Sequence, residues 1–141
     1  MSFEVRYCTN CATALAPIAV DEDGTAVVAG DTDTALFPTT AGAYDTTPSG
    51  QSDAFVSRLN AAGSDLVAST VLGGPSEDIA HGVGLGASGI TVVGVTLSQT
   101  FPATPGAFDS IFNGGSDGFV ARLSGDVAEL GYASFVGGLS S

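Results

Sequence analysis

The sequence contains no lysine and no tryptophan, and it has only three arginines and one histidine. Against 15 acidic residues these few cations leave a formal net charge of −12 at pH 7. Such a protein repels phosphate backbones and anionic lipid surfaces, so neither nucleic acid nor a membrane surface is an expected partner. Two explanations for the acidity stay open. The scattered placement of the acids favours solubility in a salty environment over binding of divalent cations.

Long apolar runs are also missing. No stretch approaches the roughly 18 consecutive apolar residues of a membrane-spanning helix, and the opening residues MSFEVRYCTNC lack the features of a signal peptide. No segment shows the i, i+3, i+4 spacing of an amphipathic helix. Hydrophobic residues still make up 44% of the chain and 20 residues are glycine. Together they indicate packed sheets joined by tight turns rather than a disordered acidic tail.

The chain does contain an internal repeat. Residues 37–59, FPTTAGAYDTTPSGQSDAFVSRL, and residues 101–123, FPATPGAFDSIFNGGSDGFVARL, lie 64 positions apart and share 13 of 23 residues. Upstream, residues 17–30 match residues 82–94 across a one-residue gap. The predicted organisation is a degenerate strand region at 1–16 that completes a blade, a first repeat at 17–65 that begins partway, a second repeat at 66–129, and the start of a truncated third repeat at 130–141.

The local pattern within each repeat favours β-strands. The segment DAFVSRL alternates, with Phe55 and Leu59 on one face and Val56 and Arg58 on the other. Short runs such as ITVVGVT are rich in β-branched residues, and the turn sequences NAAGSD, DEDG and GASG each supply a glycine for positive φ. Four short strands and a Pro-containing connector predict an all-β chain of β-propeller blades, each a four-stranded antiparallel sheet. About two blades plus an extra strand are expected.

A β-sandwich and a β-solenoid are the all-β alternatives. A sandwich need not repeat its sequence, and solenoid coils are usually much shorter than this repeat. The propeller is therefore the favoured architecture. Because propellers have about four to eight blades, two blades do not close a ring, and unpaired strand edges invite association. We expect other copies of the chain, or further blades, as partners.

The repeated text resembles the SBBP beta-propeller repeat of bacterial and archaeal proteins. The likeness rests on the connectors FPTTAGAY and FPATPGAF, the strands SDAFVSRL and SDGFVARL, and the turn LGG, and it covers roughly residues 17–138. At the start, FEVRYCTNCATALAP lacks the expected Gly-Gly turn. The resemblance implies an extracellular or cell-surface propeller domain with no common enzymatic activity. It implies a fold and a location, not a catalytic site.

Cys8 and Cys11 form a C-T-N-C motif that is similar to one knuckle of a zinc ribbon. Structural zinc takes four N or S ligands, and His81 is the only other soft ligand in the sequence. No thioredoxin-like pattern surrounds the motif. We favour two structural cysteines on an edge strand, with a disulfide or a metal shared between chains as alternatives.

His81 is the sole histidine, so any Ser-His-Asp or Cys-His arrangement would have to use it. It lies in DIAHGVG, where a turn leads into a strand, with Glu77 and Asp78 nearby. This position is typical of a hydrogen-bonded or exposed residue at a blade rim. No catalytic role is predicted for it.

Acidic turns are the strongest candidates for a ligand site. Asp21, Glu22 and Asp23 resemble part of a calcium loop, but the remaining ligands are missing and the second repeat has GASG there. Asp31 and Asp33 add carboxylates near the other end of the same strand. Turn chemistry is the favoured interpretation, and no metal site is predicted.

Four further polar residues recur in both repeats. Asp53 and Asp117 are predicted to cap the connector through side-chain-to-backbone hydrogen bonds. Arg58 and Arg122 are predicted to pair with carboxylates rather than to bind a ligand. No catalytic, cofactor-binding or metal-binding residue is therefore assigned.

These features predict a non-enzymatic propeller module of a surface or secreted protein, which acts in assembly, adhesion or display by blade stacking. The alternative is a ligand-binding propeller that takes glycan or calcium at acidic rim loops, where a protein partner is also conceivable. A hydrolase is disfavoured because the polar constellation it needs is missing from the sequence.

Overall fold

A computed structural model describes residues 17–137, and every regular element in this range is a β-strand. Within that range there is consequently no helix with the length and apolar character needed to cross a membrane. The eight strands are β1 (Ile18–Val20), β2 (Ala26–Thr32), β3 (Asp53–Leu59), β4 (Leu66–Leu72), β5 (Asp78–Gly86), β6 (Gly89–Thr96), β7 (Asp117–Leu123) and β8 (Leu130–Val136).

The strands form two four-stranded sheets, and in each sheet the strands are ordered as they occur in the chain. The first sheet holds β1 to β4 and the second holds β5 to β8, with antiparallel pairing between all neighbours. The predicted all-β class and the four-stranded antiparallel sheets are thereby confirmed. The strand region predicted at 1–16 to complete a blade lies outside the described residues. The strand predicted at 130–141 to begin a third repeat is β8, which belongs to the second sheet.

The sheets and the sequence repeats are offset by one strand. β4 begins at Leu66, where the second repeat was placed, but it pairs with β3 in the first sheet. Likewise β8, at the start of the predicted third repeat, pairs with β7 in the second sheet. The two structural units are therefore residues 18–72 and 78–136, joined by residues 73–77.

Local signals in the sequence account for the strands and turns. In β3, Phe55 pairs with Gly30 and Val71 while Val56 pairs with Ala29 and Thr70, so the predicted alternation is confirmed. Each of the three predicted turns has one glycine with positive φ, namely Gly24 at 85°, Gly63 at 67° and Gly89 at 125°. Glycine adopts this region without the steric cost that a Cβ brings.

The repeated connector between β2 and β3 lies against the first sheet. The Phe37 ring packs on the Phe55 ring, with centroids 4.6 Å apart, and the Thr40 amide donates to the Ser69 carbonyl at 3.0 Å. The second connector makes the same contacts 64 positions later, between the rings of Phe101 and Phe119 (4.5 Å) and from the Thr104 amide to the Ala133 carbonyl (2.9 Å). The repeated connector sequence therefore makes the same contacts with its own sheet in both repeats.

The two sheets pack face to face, and each sheet uses a different face. We call face A the side of a sheet that in the first sheet carries Val27, Ala29, Val56 and Leu72. Face B is the opposite side, which in the second sheet carries Ile90, Val92, Phe119 and Leu123. Face A of the first sheet and face B of the second share one buried core cluster. The same registers, moved by 64 positions, define face A of the second sheet and face B of the first.

Candidate functional site

Arg58 connects the two sheets. Its position on β3 places it on face A, where its Nη1 donates to the Gly125 carbonyl of the second sheet at 3.0 Å. Its Nη2 donates to Asp21 Oδ2, also at 3.0 Å, and forms an ion pair. The predicted carboxylate pairing of Arg58 is confirmed. The additional bond to a backbone carbonyl makes this arginine an inter-sheet contact.

Gly125 belongs to the turn 124–129 between β7 and β8, and this turn fits against the first sheet. Val127, at the centre of the turn, is fully buried in the shared core and has a φ of 55°. Its carbonyl accepts a hydrogen bond of 2.8 Å from the Tyr44 amide of the first connector. A β-branched residue at positive φ is unfavourable, so burial of the side chain has to offset the strain.

Arg122 occupies the position of Arg58 on the second sheet but lacks its partners. Its guanidinium lies over the Tyr132 ring, 4.9 Å from the centroid, and its buried Nε has no hydrogen-bond acceptor among residues 17–137. The predicted carboxylate pairing is therefore wrong for Arg122 within the described residues. The reason lies in the turn sequence, because GASG replaces the DEDG turn that supplies Asp21 to Arg58.

Two buried carboxylates meet where the chain passes from the first sheet to the second. Asp78 accepts hydrogen bonds from the Gly74 amide (2.8 Å), from Ser98 Oγ (2.9 Å) and from the Thr96 hydroxyl. A Cβ added to Gly73 would lie 2.5 Å from Asp53 Oδ1 and 2.6 Å from Asp78 Oδ2. The two carboxyl groups therefore face each other across that glycine, which has to lack a side chain.

Asp53 accepts a hydrogen bond from the Ser49 amide, so the predicted capping of the connector is confirmed. Burial raises the pKa of Asp53 to about 6, and the charges of Asp78 and Asp45 add to the rise while the Ser49 bond opposes it. The folded state thus binds this proton more tightly than the unfolded chain does. The contribution of Asp53 to stability is therefore greatest below pH 4 and is lost as the pH rises through about 6.

Asp117 is the counterpart of Asp53 in the second sheet. Its Oδ2 accepts a bond of 2.6 Å from the Asn113 amide, which confirms the second predicted cap. Its Oδ1 is buried and has no hydrogen-bond partner among the described residues. Among the described residues, the two junctions therefore differ in how their carboxylates are hydrogen-bonded.

The acidic turn has internal hydrogen-bond partners. Asp23 accepts bonds from the amide and hydroxyl of Thr25, and these bonds lower its pKa. Asp31 is half-buried, and this burial, followed by the negative charges of Asp33 and Glu77, raises its pKa. Within residues 17–137 no group of three or more acidic, His or Cys side chains is placed to hold a metal ion.

His81 is exposed on β5, at an irregularity in the pairing with β6 between Ala80 and Gly82. This agrees with an exposed position, although the residue lies within a strand. Glu22 is also exposed. Cys8 and Cys11 lie outside the described residues, so their predicted edge-strand position stays a prediction.

Sequence reasoning missed the roles of Asp78, Val127 and Tyr44. The position equivalent to Asp78 precedes the first repeat at 17–65, so comparison of the two repeats does not mark Asp78 as a recurring polar residue. The turn 124–129 differs from its counterpart 60–65 by placing valine where the first repeat has Gly63. The two turns share no residue, but both have positive φ at this position, and a β-branched residue in place of a turn glycine is the available signal for Val127.

Comparison of the chain with models of known protein families gives no match, and comparison with curated proteins gives none either. The function proposed below therefore depends on the repeat and on the geometry of the two sheets.

Proposed function

We propose that the chain is a non-enzymatic β-propeller repeat module of a surface or secreted protein, in which each four-stranded sheet is one blade. Its role is assembly, adhesion or structural display, and its mechanism is the stacking of blades. The observation that carries the proposal is the packing of face A of the first sheet on face B of the second.

This packing is what a repeat protein requires. A four-stranded sheet with apolar residues on both faces cannot bury them alone, and stacked neighbours complete the core. Val56 and Leu72 on face A are fully buried in a cluster that includes Ile90 and Phe119 of the second sheet. Residues of this kind serve cohesion between units.

The polar residues of the sheet junction support a structural role as well. Asp53 and Asp78 accept hydrogen bonds from the backbone and hydroxyl groups that shape the chain between the sheets. Asp21 pairs with Arg58, and Asp23 with Thr25, so these carboxylates already serve the fold. A glycan-binding or calcium-binding propeller is the second candidate, and no contact among the described residues favours it over stacking.

A fusion protein tests the stacking role. Residues 1–137 are followed by a second copy of residues 74–82, the segment that leads into the second sheet, and then by residues 18–137. In this order β1 of the second copy starts where β5 continues in the natural chain. If the sheets stack, the added copy covers face A of the second sheet and raises the urea midpoint above that of the single chain.

The matched control is the same fusion carrying Val136→Asp in its first copy only. This charge lies on the face that the added copy should cover, so the gain in midpoint should be lost. A fusion that unfolds at the same urea concentration as the single chain, with or without the substitution, would refute stacking.

A further inference from the structure

Face A of the second sheet is open, although the equivalent face of the first sheet is covered. Val93 is 45% exposed and Val136 is 55% exposed. Their counterparts 64 positions earlier are Ala29 and Leu72, and both are fully buried against the second sheet. Apolar face A is thus buried in the first sheet and exposed to solvent in the second.

Face B of the first sheet shows the converse. Ile18 is 62% exposed and Val20 is 63% exposed. By their pairing with β2 and β6, these residues correspond to Val83 and Leu85, which pack against the shared core cluster. The two ends of the stack therefore present the two surfaces that meet at its centre.

An open groove accompanies face A of the second sheet. It is lined by Thr104, Gly106, Phe108, Val120, Tyr132 and Val136. The equivalent groove of the first sheet is lined by Thr40, Gly42, Arg58 and Ala68 and lies against the turn 124–129 of the second sheet. Phe108 is 91% exposed, whereas its counterpart Tyr44 packs on the core cluster.

Arg122 is a hydrogen-bond donor beside the open groove, at the position that Arg58 occupies in the first sheet. Its equivalent Arg58 donates to the carbonyl of Gly125, while Arg122 lies over Tyr132 and its Nε has no hydrogen-bond partner among residues 17–137. The residue that corresponds to Gly125 in the first repeat is Ala61, in the turn 60–65 between β3 and β4. A turn 60–65 placed in the open groove brings the Ala61 carbonyl to Arg122.

We propose that face A of the second sheet binds face B of the first sheet in a second copy of this chain, with the partner's turn 60–65 in the open groove. The proposal rests on the stacking role proposed above and names the partner. The contact is head to tail, so each copy keeps one free surface, and the assembly grows into a ring or a filament.

Two features set the strength of this contact. The partner's turn presents Gly63 where Val127 fills the first groove, so association between copies is weaker than the packing within one chain. Each copy carries a net charge of −12, and salt screens the resulting repulsion. Association therefore increases from low to high salt.

The test uses the full-length chain and two variants that each block one surface. Val136→Asp blocks face A of the second sheet, and Ile18→Asp blocks face B of the first. Both positions are more than half exposed, so circular dichroism and the melting temperature should match those of the wild-type chain. Masses are measured by sedimentation velocity at rising protein concentration in low and high salt.

We expect wild-type mass to rise with concentration in high salt, while each variant alone stays monomeric. An equimolar mixture of the two variants should form a dimer and grow no further, because one intact surface of each kind remains. Arg122→Ala should weaken wild-type association about tenfold, the effect of one hydrogen bond from a charged group.

A monomeric wild-type chain at the highest concentration overturns the proposal. Self-association of either variant alone at wild-type strength overturns it too, because the contact would then join like surfaces. A mixture of variants that stays monomeric contradicts the head-to-tail pairing. If the fusion described above still gains stability, the stacking role survives and only the partner assignment fails.

Discussion

Val127 offers a quantitative test of how the second sheet is fastened to the first. Its side chain is fully buried in the shared core, and its φ of 55° lies where β-branched residues are costly. Val127→Ala removes two methyl groups, worth about 0.8 kcal/mol each in transfer free energy. The unfilled space adds to this loss, so we expect the free energy of unfolding to fall by about 2–3 kcal/mol.

Val127→Gly separates packing from backbone strain. It removes one more carbon than alanine does and adds freedom to the unfolded chain, but it also relieves about 1–2 kcal/mol of left-handed strain. These opposing effects should leave the glycine variant about as stable as the alanine variant. Urea unfolding followed by far-UV circular dichroism measures both, with unchanged m values.

The control is Val67→Ala, because Val67 is a valine on β4 that is 54% exposed. Its substitution should cost less than about 0.5 kcal/mol. If Val127→Ala lowers the free energy of unfolding by less than about 1 kcal/mol, the Val127 side chain is not packed in the shared core as described. If the glycine variant is less stable than the alanine variant by more than about 2 kcal/mol, the backbone at position 127 is not strained as proposed.

Three further predictions concern the remaining contacts. Arg58→Ala should lower the free energy of unfolding by about 2 kcal/mol, since it removes the hydrogen bond to the other sheet and an ion pair. Arg122→Ala should lower the free energy of unfolding of the dilute monomer by less, and equal losses in urea unfolding would contradict the inter-sheet role of Arg58. Asp53→Asn should stabilise the protein by on the order of 1 kcal/mol relative to wild type at pH 7 but not at pH 4, because asparagine has no proton to lose as the pH passes about 6. A difference in melting temperature that does not change with pH would argue against the raised pKa of Asp53. Gly94→Ala should lower the free energy of unfolding by about 3 kcal/mol or more, since its Cβ would lie 2.0 Å from the Ile79 backbone oxygen on the neighbouring strand β5. Gly84→Ala meets nothing within 4 Å and should be tolerated, and similar urea midpoints for the two variants would show that β5 and β6 do not approach as closely as described.

The elements that sequence predicted well are those set by neighbouring residues. The alternation of Phe55 and Val56 specifies two faces of one strand, and Gly63 and Gly24 permit turns that a side chain would strain. The caps at Asp53 and Asp117 are equally local, since each carboxylate receives an amide from four positions earlier. Such interactions depend on spacing along the chain, which the sequence displays directly.

Which face of one sheet packs on which face of the other cannot be predicted from the sequence, because this packing depends on residues far apart in the chain. Nothing in the text around Leu66 indicates that its strand completes the preceding sheet instead of starting the next. Arg58 and Arg122 sit in nearly identical sequences, yet within residues 17–137 only Arg58 has a second sheet beside it. Val127 was missed for a related reason, because its unfavourable φ is tolerated only through burial against a distant connector.

Amide hydrogen exchange on the full-length chain, with and without Val127→Ala, tests the mutual dependence of the two sheets most directly. If the sheets stabilise each other through their shared core, the substitution should reduce protection in β2, β3 and β4 of the first sheet as well as in β6 to β8. Loss of protection confined to β7 and β8, with the first sheet unchanged, would contradict the stacking of interdependent sheets.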